Sequence, residues 1–163
     1  MSHPERNAMQ PELVKMSMED FESMDDLALC RACVWDASMK MRGTDNETRS
    51  RVYGSLTEGQ RAVFMFWVLN ARGPRGFTQL HEQLPHLVYE DSFWDGLRAA
   101  GRLVGVQELV TLTDAFLALR DQEGNEDAIA KLDNALAQLI RRELPRFSAF
   151  IRANPGQFVQ LDS

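Results

Sequence analysis

Val63-Phe-Met-Phe-Trp-Val-Leu69 is the stretch on which the fold turns. Its seven residues are apolar without interruption, and few of them are β-branched, so the run reads as buried helix rather than buried strand. Upstream, Thr57 with Gln60 three residues on has the form of a capping box. Downstream, Gly73-Pro74 ends the helix. A helix apolar on every side has no solvent face to offer. It belongs at the centre of a bundle, covered all round by other helices.

Outward from that helix the chain supplies the cover. Toward the N-terminus, Ser23 with Asp26 resembles a second capping box, and Leu27, Cys30, Val34, Ala37 and Met41 follow the spacing of one buried helical face. Gly43 stands where that helix of about five turns should stop. Residues 43–55 are charged and turn-rich and read as loop with about one turn of helix. The first dozen residues are polar, with Pro4 and Pro11, and are expected to fray. These features divide the chain into a flexible arm over 1–18 and a single helical domain over 19–163.

Toward the C-terminus, residues 76–84 read as a short helix broken near Pro85. Ser92 caps Phe93 to about Leu103. The next helix runs from about Val106 to Arg120, with Leu109, Leu112, Phe116 and Leu119 on one stripe. After Gly124-Asn125, Glu126 to Glu143 is amphipathic through Ile129, Leu132, Leu136, Leu139 and Ile140. Pro145 either kinks this helix or separates it from a last one around Phe147 to Asn154. No convincing period-2 strand is visible. The expected fold is all-α, a compact multi-helix bundle with a central all-apolar helix.

Composition excludes several functions. The 163 residues are 44% hydrophobic and 26% charged, ordinary for a globular domain and too apolar for disorder as the main state. A net charge of −6 would repel nucleic acid, so direct nucleic-acid binding is not expected. The longest apolar stretch, Ala62 to Leu69, is less than half of what a bilayer span needs, and no secretory signal is visible. Two cysteines make no disulfide framework, and a reducing cytoplasm is the expected compartment.

No recognisable catalytic or metal machinery is present, and no cofactor is implied. Cys30-x-x-Cys33 has the spacing of redox and zinc sites. The pair lies inside a helix, however, with Cys30 on the core-facing stripe and no second paired motif, so small core residues are the expectation. His81 and His86 are five apart, which turns the second about 140° past the first, and Pro85 stands between them; a metalloprotease helix needs four. Arg72-Gly-Pro-Arg-Gly76 precedes a helix start and could hold an anion, though a plain turn explains it. Gly101-x-x-x-Gly105 would let two helices approach closely, or Gly101 would simply end one.

The acids have more structure. Glu19, Asp20, Glu22, Asp25 and Asp26 crowd the start of one helix. Asp121, Glu123, Glu126 and Asp127 crowd the junction before the long C-terminal helix, and Glu90, Asp91 and Asp95 form a third group. Acids at helix starts complement the helix dipole, and solvated charge is the default on a surface helix. The same acids at helical spacing also present negative charge to a basic partner.

From Leu56 onward, the order of features resembles a bacterial family of small helical proteins, largely of unknown function, that includes a DNA-mimic protein. The matching pieces are Leu56-Thr-Glu-Gly-Gln-Arg-Ala-Val-Phe, Gly76-Phe77-x-Gln79, Leu97-x-x-x-Gly101, and the ending Phe150-Ile-Arg-Ala-Asn-Pro-Gly-Gln-Phe158. The chain departs from the family in having Arg75 before Gly76-Phe77, and Leu80-His-Glu-Gln83 where an aromatic-rich segment is usual. The resemblance implies an all-helical fold, no catalytic residues and a protein partner. In a DNA mimic, carboxylates stand in for backbone phosphates; no residue of such a surface carries over by motif.

The functional expectation is a non-catalytic protein-interaction module. Its partner would be a protein, with a basic DNA-binding regulator as one candidate and a homodimer also allowed. The candidate contact residues are Glu19, Asp20, Glu22, Asp25, Asp26, Asp121, Glu123, Glu126 and Asp127. An immunity-type inhibitor of a toxin is a second reading. A third is a small-ligand-binding or enzymatic domain with a pocket around Trp67, Tyr89 and Trp94.

Overall fold

The Thr57 hydroxyl accepts a hydrogen bond from the Gln60 backbone N–H, and the Gln60 side chain accepts one from the Thr57 N–H. That reciprocal cap starts the helix that carries the apolar run. A computed structural model describes residues 11–83 and 90–162, with the backbone alone for Glu90 and Asp91. In chain order the elements are β1 (Val14–Ser17), α1 (Met18–Ser23), α2 (Asp26–Met41), α3 (Asn46–Ser55), α4 (Glu58–Arg72), α5 (Phe77–Gln83), α6 (Glu90–Val104), α7 (Gln107–Leu119), α8 (Glu126–Ala153) and β2 (Val159–Asp162). The fold is all-α, with one short two-stranded sheet among the described residues. Residues 1–10 of the expected arm, the break expected at Pro85, His86 and Tyr89 lie outside the described residues.

α4 packs against α2, α6 and α8, and α7 against α6 and α8. Val63, Met65, Phe66 and Leu69 are buried, with Phe66 stacked on Phe147 of α8 at 4.1 Å between ring centroids. Trp67 and Val68 are only half-buried, and they border a groove. A second aromatic cluster joins α5, α6 and α7: Phe77 stacks on Phe116 at 5.0 Å, with Trp94 against both.

Several sequence expectations are corrected. Val14–Ser17, placed in the flexible arm, is a strand paired in parallel with Val159–Asp162, Val14 opposite Val159. Four-residue strands are too short to display a period-2 pattern, and their pairing joins the two ends of the chain, a contact no local signal announces. Gln60 Nε2 also donates to the Glu12 carbonyl, and Glu12 pairs with Lys40 at 2.8 Å, so the segment is held from Glu12 onward. Residues 46–55 form a helix of their own, because the Asp45 carboxylate accepts from the Thr48 N–H at 2.8 Å and Val52 is buried.

The cap of α2 is Asp25, which accepts from the Ala28 N–H at 2.7 Å; Ser23 instead ends α1. The buried face of α2 is accordingly Leu29, Cys30, Cys33, Val34, Ala37 and Met41, while Leu27 is 43% exposed. Finally, α8 runs unbroken through Pro145 to Ala153. Pro145 is exposed, so the carbonyl it leaves unbonded can be hydrated. Ile140, Glu143, Phe147 and Ile151 keep one buried stripe across it, which offsets the proline's cost.

Candidate partner-binding surface

The first acidic group sits on α1 and the start of α2. Ser17 caps α1 by accepting from the Asp20 N–H, which turns Glu19, Asp20 and Glu22 outward; all three are exposed, as is Asp25, and Asp26 is partly so. The underside of this unit is fixed by Arg152 of α8, which donates to the carbonyls of Phe21 and Met24. Those carbonyls lie where α1 ends, and the guanidinium neutralises that negative pole. The second group, Asp121, Glu123, Glu126 and Asp127, is exposed at the other end of α8.

α8 is thus the ruler between them. From Glu126 to Arg152 the helix rises roughly 40 Å at 1.5 Å per residue. The structure gathers the residues within each group and holds the two groups apart. Lys131 and Arg141 are exposed on α8 between them, so the negative surface is two patches rather than one strip. Asp121 lies 3.7 Å from Arg120; among the described residues no cation is within ion-pair distance of the other eight acids. By contrast, Asp95 and Asp114 are tied to Arg98, and Glu108 and Glu143 to Arg142. Of the third group only Asp95 has a described side chain.

The other motifs resolve into structure. Cys30 and Cys33 are buried and unbonded on the inner face of α2. Desolvation pushes both thiols up to about 12, reinforced at Cys30 by Cys33 and Asp26 and opposed by Arg152. Neutral, buried thiols are poor nucleophiles and poor metal ligands. Among the described residues no three His, Cys, Asp or Glu side chains converge as a metal site would require. No helix among them is long and apolar enough to cross a membrane.

The anion that the Arg72–Gly76 turn could hold is the protein's own. The Asp133 carboxylate accepts from the Phe77 N–H at 2.8 Å at the start of α5. Burial raises its pKa, and hydrogen bonds from the Phe77 and Thr78 backbones oppose the rise. Gly76 has φ +101° and lies so near Asp133 that a Cβ would stand 2.2 Å from its carboxyl carbon. Gly101 lies inside α6, where a Cβ would come within 2.9 Å of the Val106 carbonyl, so its role is close approach to α7; Gly105, at φ +86°, follows the helix end.

Of the three residues named for an aromatic pocket, Tyr89 lies outside the described residues. Trp94 is fully buried among Phe77, Phe93 and Phe116, whereas Trp67 borders a groove of about 390 Å³ between α2 and α4, with Phe93 of α6 also lining it. Trp35 and Met39, each 45% exposed, stand on its α2 side, with Arg42, Arg49 and Arg72 around it. Sequence reading missed Trp35 and Met39 because it followed only the inner stripe of α2. A second apolar row at 28, 32, 35 and 39 was the available signal. Compared with models of known protein families, with curated proteins and with solved structures, the chain matches none.

Proposed function

We propose that the chain is a non-catalytic protein-interaction module that binds a basic protein partner through its two acidic patches. One observation carries this reading: eight carboxylates in two groups face solvent with no cation among the described residues within ion-pair distance, the first group held by the Ser17 and Asp25 caps and by Arg152, the second at the opposite end of α8. Fixed, unneutralised charge attracts a partner over a Debye length and strengthens contact on arrival. The length of α8 between Glu126 and Arg152, roughly 40 Å, is near the 34–36 Å between half-sites read by dimeric helix-turn-helix regulators. That match, with the resemblance of Phe150–Phe158 and the α4 start to the DNA-mimic family, favours a DNA-binding regulator as the partner.

Affinity capture from the native host tests this with three linked readouts. A partner held at low salt, released by high salt and displaced by duplex DNA supports the proposal. So does loss of that partner when Glu19, Asp20, Glu22, Glu123, Glu126 and Asp127 are replaced by their amides. A partner retained by the amide variant, or indifferent to salt, overturns it.

A further inference from the structure

α2 lies on the surface yet is apolar on two sides. Its inner face enters the core through Leu29, Cys30, Val34 and Met41. A surface helix of this kind ordinarily carries polar residues opposite that stripe. Here the outer side instead has Ala28, Ala32, Trp35 and Met39, with Trp35 and Met39 each 45% exposed. Extended to both ends, the outer row is Asp25, Ala28, Ala32, Trp35, Met39 and Arg42, alternating steps of three and four over the whole helix. That is the seam of a helix pair, and all six side chains are exposed or partly so.

We infer that the outer face of α2 is the interface of a homodimer in which two copies of α2 pack antiparallel. The identity of the occupant follows from the order of residues along the seam. Antiparallel helices bring the first position of one seam opposite the last of the other. Asp25 of one copy then meets Arg42 of the second, Ala28 meets Met39, and Ala32 meets Trp35. Each layer joins acid to base or small to large, and a twofold axis repeats all three. A parallel pair would place Trp35 on Trp35, Arg42 on Arg42 and Asp25 on Asp25, with like charges at both ends.

Residues that already have a role in the free chain remain compatible. Asp25 uses one carboxylate oxygen to cap α2, leaving the other for Arg42 of the second copy. The Arg31 guanidinium lies 4.8 Å over the Trp35 ring, on the flank of the seam, and shields it from water. The groove toward Trp67 and Val68 continues the apolar surface past Met39. This inference meets the acidic patches at one residue: it takes Asp25 from the first group and leaves Glu19, Asp20 and Glu22 exposed.

Sedimentation equilibrium of the full chain over a wide concentration range tests it. The expected result is a reversible monomer–dimer equilibrium that Trp35→Glu weakens about tenfold or more, as an interface anchor should. Arg42→Asp and Asp25→Arg should each weaken it, and the two together should recover most of the loss. Since Asp25→Arg also removes a helix cap, a cysteine pair supplies a test that needs no change there. Ala28→Cys combined with Met39→Cys should cross-link two chains on oxidation, while either alone should not. A chain that stays monomeric, a dimer unaffected by Trp35→Glu, or cross-linking by Ala28→Cys alone overturns the inference.

Discussion

Asp133 belongs to α8 but serves α5, and the two backbone N–H groups it receives would otherwise be orphaned at a helix start. Asp133→Ala should therefore cost about 2 kcal/mol in urea unfolding, the upper range for a lost cap. Gly76→Ala should cost at least as much, because its φ of +101° and the 2.2 Å approach to Asp133 both penalise a Cβ. The buried thiols give a prediction in pH. Their folded pKa, about 12, exceeds the ordinary 9.0, so as pH rises the unfolded chain loses its thiol protons first. Stability from this source is whole below about pH 9 and declines toward 12. Maleimide should accordingly label neither cysteine in the native chain at pH 8 and both in denaturant.

At the scale of elements, Pro145 is the exception to be probed. It interrupts the hydrogen bonding of α8 without interrupting its buried stripe, so Pro145→Ala should restore one bond and raise stability by about 1–3 kcal/mol. The opposite is expected at Phe158. It is fully buried, packs edge-on against Phe150 and holds β2 against the start of α4, where Gln157 accepts from the Gly59 N–H. Phe158→Ala should cost about 3–5 kcal/mol and loosen the strand pair, read by hydrogen exchange at Val14–Ser17.

Legibility varied with the range of the signal. The cap of α4 at Thr57 and Gln60, the stripe of α7 and the core position of the cysteines are local and were readable. The strands depend on contacts far along the chain and were not; at Pro145 the sequence left a continuing helix and a break both open, and the helix continues. The start of α2 was misread by two residues because Ser23, Asp25 and Asp26 all carry capping chemistry, and only the backbone decides among them. Exposure of the nine acids was legible for the same local reason. Their division into two patches was not, since it follows from Arg152 docking α1 to one end of α8 while the second group sits at the other.

The molecule as a whole has a packed aromatic interior and offers its surroundings two separated negative patches and one apolar helix face. The patches sit at opposite ends of α8, which rises roughly 40 Å between Glu126 and Arg152, so their effects on binding should combine independently. The most direct measurement is the affinity of the captured partner for three variants at fixed salt. The first has Glu19→Gln, Asp20→Asn and Glu22→Gln; the second has Glu123→Gln, Glu126→Gln and Asp127→Asn; the third has all six. The account predicts that each set weakens binding and that the six together lose the sum of the two free energies. Full affinity in either three-residue variant would contradict it.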